Sequence, residues 1–135
     1  MPAPRFLLLL LAAAPLAAAP LPAPAELPGP LVIVGGGKMG DDVRKAFFDL
    51  AGGAKAKIVV VPTASTDADD ATKADSFLAG WKELNPASVT LLHTRDRKTA
   101  DDPAFTRSLA DATGLWFGGG DQVKIAEAYR GTATA

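Results

Sequence analysis

Four short apolar runs, Leu31–Val34, Lys57–Val61, Ser88–Leu92 and Gly114–Phe117, alternate with stretches whose apolar residues recur at helical spacing. Runs of consecutive apolar positions, bounded by turn residues, predict strands buried on both faces. Between the first two runs, Asp41 or Asp42 can cap a helix carrying Val43, Ala46, Phe47 and Leu50 on one stripe, ended by Gly52-Gly53. A second helix, from about Asp69 to Leu84, lines up Ala74, Phe77, Leu78, Trp81 and Leu84 before Asn85-Pro86 breaks it. Asp102-Pro103 opens a third helix, with proline at the first helical position, where its missing N–H costs nothing. A fourth runs from Gln122 to Tyr129 and stops at Gly131. By their spacing Trp81, Trp116 and the phenylalanines are core residues.

Strand and helix thus alternate four times. That order predicts an α/β fold, a parallel sheet with helices on both faces, in which right-handed crossovers bring the loops after the strands to one edge. Such folds bind ligands along that edge. The loops concerned are Gly35–Gly40, Pro62–Asp67, Thr94–Lys98 and Gly118–Gln122.

The residues before Leu31 follow a different pattern. Arg5 precedes the unbroken apolar run Phe6–Leu11, and an Ala-rich stretch continues it, interrupted by Pro15 and then by Pro20, Pro22 and Pro24. A lone charge, an apolar core of this length and the small-x-small sequence Ala23-Pro24-Ala25 predict an export signal over residues 1–25, with 26–30 as a linker. The prolines argue against a spanning helix. The expected destination is the periplasm or the exterior, with no membrane contact once the signal is cleaved.

Composition narrows the chemistry. The net charge is −1, with 14 basic and 15 acidic residues spread along the chain. A nucleic-acid partner needs a clustered basic face, and the Arg95–Lys98 group reads as a solvated loop. There is no cysteine and a single histidine, His93. Disulfides, a thiolate nucleophile and Cys/His metal sites are therefore excluded, and no cofactor or metal is expected.

The two glycine turns are the candidate chemistry. Gly35-Gly36-Gly37-Lys38-Met39-Gly40 satisfies the spacing of a dinucleotide-binding turn. The carboxylate that would hold the ribose at the end of the second strand is missing, since that position reads Val61-Pro62-Thr63-Ala64, and Asp41-Asp42 would repel a phosphate. A sharp turn after a strand, or flexible backbone at Gly36 and Gly37 bordering a substrate, accounts for the glycines better. Gly118-Gly119-Gly120-Asp121-Gln122 also follows a strand and begins a helix. Backbone N–H groups without intrahelical partners, as at such a turn, are what an oxyanion hole requires. Asp121 serves equally as a helix cap. Thr63 and Ser65 read as loop and cap residues, and His93 as a structural histidine at a strand end.

Several segments in order carry a family resemblance: the strand with its triple glycine, LAGG at Leu50–Gly53, IVVVPTAS at Ile58–Ser65, an Arg-Asp loop, GGGDQ at Gly118–Gln122 and Arg130-Gly131-Thr132. Residues 30–135 resemble the cyanophycinase-like serine peptidases, relatives of the aspartyl dipeptidases. The resemblance implies a flavodoxin-like sheet similar to the class I glutamine amidotransferases, incomplete here on its C-terminal side. It implies an oxyanion role for Gly120 with Asp121 beside it, and places Gln122 at the substrate site. It also implies hydrolysis of peptide or isopeptide bonds in a peptide or small acidic substrate. The family's nucleophile lies in a G-T-S-A-G-A elbow on a later strand, and its base histidine lies further on. Gly131–Ala135 follows a helix directly, without the strand that an elbow needs. Nucleophile and base are thus expected to be absent from these 135 residues, and the chain alone to be inactive. A non-catalytic exported binding domain of the same fold and a dinucleotide-binding module are the alternatives.

Overall fold

The computed structural model describes residues 29–135. The predicted export segment, and the linker up to residue 28, lie outside the described residues. Three parallel strands, β1 (Lys57–Val61), β2 (Ser88–Leu91) and β3 (Gly114–Phe117), form one sheet in the order β2-β1-β3. Five α-helices accompany them: α1 (Asp41–Leu50), α2 (Ala74–Lys82), α3 (Arg97–Ala100), α4 (Pro103–Ala110) and α5 (Gln122–Tyr129). The register pairs Ile58 with Val89 and with Gly114, so β1 is hydrogen-bonded on both sides. This is the expected parallel α/β architecture.

β1 shows why a strand of this composition becomes the centre. Ile58 and Val60 face one layer, packed with Ala51, Leu78 and Trp81. Val59 and Val61 face the other, with Leu92, Ala100, Ala128 and Tyr129. Each buried aliphatic side chain of this kind stabilises the fold by about 1.5–3 kcal/mol, and all four are at most 2% exposed. On the first face Phe47, Trp81 and Trp116 form an aromatic cluster with ring centroids 4.9–5.2 Å apart, within the range for favourable edge-to-face contact.

Four expectations need correction. Leu31–Val34 is not a strand: the segment lies across a cavity of about 500 Å³ from Leu115–Phe117, and no ladder bonds join it to β3. Its apolar pattern is real, but a strand exists only through its pairing. The packed face of α1 is Phe47, Phe48 and the following Ala51, whereas Leu50 is 55% exposed. The cause is Gly114 on β3, where a Cβ would come within 2.8 Å of Ala51 and 3.0 Å of Phe47; its absence lets this face of α1 settle onto the strand. The helix predicted from Asp69 begins only at Ala74, after two 3₁₀ turns at Thr66–Asp69 and Ala71–Lys73. There the Ser65 and Asp70 side chains accept the N–H groups of Asp67 and Thr72, which gives the backbone a local alternative to the α-helix. Finally, Phe117 is 52% exposed on β3, whose outer side has no paired strand among the described residues.

The third helix starts at Pro103 as expected, with Asp102 accepting the N–H of Ala104. The preceding Arg-Asp loop contains a further helical turn, α3, which Asp96 caps by accepting from Lys98 and Thr99. No described helix is long and apolar enough to cross a membrane.

Candidate functional site

Because the three strands are parallel, their C-terminal ends deliver three loops to one edge: Pro62–Ser65 after β1, Leu92–Asp96 after β2 and Gly118–Asp121 after β3. Backbone bonds tie the end of β1 and its loop to the third loop. Gly118 N–H donates to Val61 O (2.9 Å) and Asp121 N–H donates to Ala64 O (2.9 Å). Gly120 has φ +139° and lies directly against the Ala64 carbonyl, where any Cβ would overlap the Ala64 peptide. Glycine is required there twice over, by conformation and by space.

The turn leads straight into α5. The Asp121 carboxylate caps this helix by accepting the N–H of Val123 at 2.9 Å. With the N–H groups of Asp121 and Val123 engaged, the hydrogen bonds among the described residues leave those of Gly119, Gly120 and Gln122 unused. The positive end of the α5 dipole is at the same place. A carbonyl oxygen gaining negative charge would find such donors favourable.

Gly36 and Gly37, the other predicted substrate-side residues, stand apart. Both are exposed, and no atom lies within 4 Å of a Cβ built on either, although Gly37 has φ +110°. No backbone hydrogen bond among the described residues joins them to the Gly118–Asp121 turn.

What the sequence did not reveal is the set of side chains fastening the loops. Arg95 reaches back from the β2 loop: its Nη1 donates to Thr63 O (2.8 Å) and its Nη2 to Ser65 O (3.1 Å). Its Nε donates to the Asp69 carboxylate at 2.9 Å. His93 Nε2 lies 3.0 Å from Asp69 Oδ1, and His93 Nδ1 lies 3.0 Å from Thr63 Oγ1. Thr63 Oγ1 is in turn 2.7 Å from the Tyr129 hydroxyl, which accepts the N–H of Thr94 at 3.3 Å. The His93 hydrogen bond, and next to it that of Arg95, hold the Asp69 carboxyl below its ordinary value of 3.8. Thr63 is fully buried and Tyr129 is 4% exposed, so neither hydroxyl can meet a substrate. A polar cleft of about 370 Å³, lined by Asp69, Arg95, Arg97, Lys124, Glu127 and Ala128, opens beside this cluster. No periodicity marks these residues. The usable signal was topological, since parallel strands bring Thr63 and His93 to one edge.

No group of acidic and imidazole side chains among the described residues is arranged to hold a metal ion.

The model of peptidase family S51 matches residues 31–135. Curated relatives include cyanophycinases from Trichormus variabilis and from a Nostoc species, each 26% identical over 98 residues, covering 70% of this chain and 32% of the relative. The cyanophycinase of Geminocystis herdmanii is 24% identical over the same length, covering 70% and 35%. The chain therefore spans about a third of the length of the curated relatives it matches. The family match takes in all three strands and the loops that fasten the GGGDQ turn: this chain belongs to peptidase family S51.

Proposed function

We propose that the chain supplies the oxyanion turn and one wall of the substrate site of an exported serine-type peptidase, and that the serine nucleophile and its base come from residues outside 1–135. The observation that carries this reading is the Gly118–Asp121 turn, anchored to Ala64 and presenting unused N–H groups at the start of α5. Acyl transfer through a tetrahedral intermediate divides its work among a nucleophile, a base and oxyanion donors. Only the donors have candidates here. Thr63 is buried, and His93 is occupied on both ring nitrogens by Asp69 and Thr63, so this pair does not replace the missing groups.

On this reading the oxygen of a scissile carbonyl sits over Gly119 and Gly120, while Gln122, exposed at the first turn of α5, reads the adjoining part of the substrate. The family resemblance implies a peptide or isopeptide bond as the one cleaved, in a substrate with acidic character. The 135 residues alone do not hydrolyse it.

Reading the gene past codon 135 tests the proposal. Continuation into an apolar strand that ends in a G-x-S-x-G-type elbow, with a histidine beyond, is the expected result. A stop codon directly after Ala135 would remove the peptidase reading for this protein and leave a binding role for the same edge.

A further inference from the structure

We infer that Asp69, His93, Thr63 and Tyr129, clamped by Arg95, form a positioning relay that fixes the Gly118–Asp121 turn through the Ala64 carbonyl, with His93 neutral and its proton on Nε2. The functional value of the relay rests on the reading of that turn as part of a substrate site; its existence does not.

The direction of the hydrogen bonds follows from one fixed donor. Thr94 N–H can only donate, so the Tyr129 oxygen accepts from it. The Tyr129 proton then goes to Thr63 Oγ1, its other partner, at 2.7 Å. Thr63 passes its own proton to His93 Nδ1, 3.0 Å away. The imidazole therefore carries its proton on Nε2 and donates it to Asp69 Oδ1. An ionised carboxylate accepts only, so the chain ends there with every donor matched. Reversed, the chain would leave the hydroxyl proton of the nearly buried Tyr129 without an acceptor among the described residues.

The relay acts on the turn through backbone. Arg95 grips the carbonyls of Thr63 and Ser65, the two neighbours of Ala64. That fixes the Ala64 peptide, whose carbonyl receives the Asp121 N–H and packs against Gly120. The relay also joins the loops after β1 and β2 to the last residue of α5, Tyr129. Since Thr63 and Tyr129 are out of reach of substrate, these are positioning residues.

His93 is the chain's single histidine, so its ring signals are unambiguous in the ¹⁵N-labelled 135-residue protein. Long-range ¹H–¹⁵N correlation is expected to show Nε2 protonated and Nδ1 bare; a proton on Nδ1 alone, or on both nitrogens at neutral pH, overturns the relay. In Thr63→Val and Arg95→Gln, exchange of the Asp121 amide should speed by about 10-fold or more through local opening. The Leu92 amide, bonded to Val60 O of β1 just past the end of β2, should keep its rate. Arg95→Lys should not restore Asp121, because an ammonium cannot span two carbonyls and a carboxylate at once. Unchanged exchange at Asp121, or an equal rise at Leu92, contradicts the assignment. If a variant does not fold, the tautomer in the unaltered chain still decides. Neither readout requires a ligand, so failure here leaves the peptidase reading standing, and failure of peptide binding leaves the relay standing.

Discussion

The chain contains the same three residues twice, Gly35-Gly36-Gly37 and Gly118-Gly119-Gly120, each after an apolar run and before a helix. Their surroundings differ completely. The second turn is bonded to the end of β1 at Val61 O and to its loop at Ala64 O, and α5 begins from its capping aspartate. The first has no bonded strand before it, and nothing lies within 4 Å of a Cβ at any of its three glycines. A glycine motif supplies permission for a conformation; neighbouring loops decide whether that conformation is held. Only the held turn can present N–H groups at fixed positions, and preorganisation is what makes such donors useful in catalysis.

Substitution should separate the two turns clearly. Gly120→Ala is the largest expected effect: the added Cβ must displace the Ala64 peptide and adopt a positive φ, a combined loss of about 3 kcal/mol or more. Gly37→Ala meets the same conformational objection at φ +110° but no neighbouring atom. A segment that packs against so little can relax locally, so thermal or urea unfolding should register less than about 1 kcal/mol. Equal losses at both positions would erase the distinction.

Thr63→Val removes the middle link of the relay at constant volume. It leaves the Tyr129 hydroxyl and His93 Nδ1 short of partners in a buried setting, which should cost about 2 kcal/mol in the same unfolding experiment. Asp121→Ala deletes only the α5 cap, worth about 1 kcal/mol.

Much of the frame was legible because it follows from periodicity. β1, β2 and β3, the stripe from Phe77 to Leu84 and the Pro103 helix start all lie where the pattern predicts. Leu31–Val34 shows the limit of that reasoning, since apolar pattern gives a strand's preference but not its partner. Phe47 packs as expected but Leu50 does not, because Gly114, distant in sequence, decides how α1 docks. At the site, the GGGDQ turn was visible as a motif. The fastening by Arg95, His93 and Thr63 was not, because residues 30 apart in sequence meet only when parallel strands align their ends.

The smallest effect concerns pH. With its carboxyl held low, first by His93 and then by Arg95, Asp69 adds stability that is fully present above the ordinary carboxylate value of 3.8 and is lost as pH falls through the lower folded value. Asp69 is more than half exposed, so solvent screens the contribution. A ¹³C titration of the Asp69 carboxyl should give a midpoint below 3.8; a midpoint at or above it would mean that the His93 and Arg95 contacts are not formed in solution.

The most direct test of the central claim is titration of the ¹⁵N-labelled chain with an aspartyl dipeptide. If the held turn is a substrate-site wall, the amide resonances of Gly119, Gly120 and Gln122 shift saturably while those of Gly35, Gly36 and Gly37 stay in place. Shifts confined to Gly35–Gly37, or none at the Gly118–Gln122 turn at saturating peptide, would contradict the account.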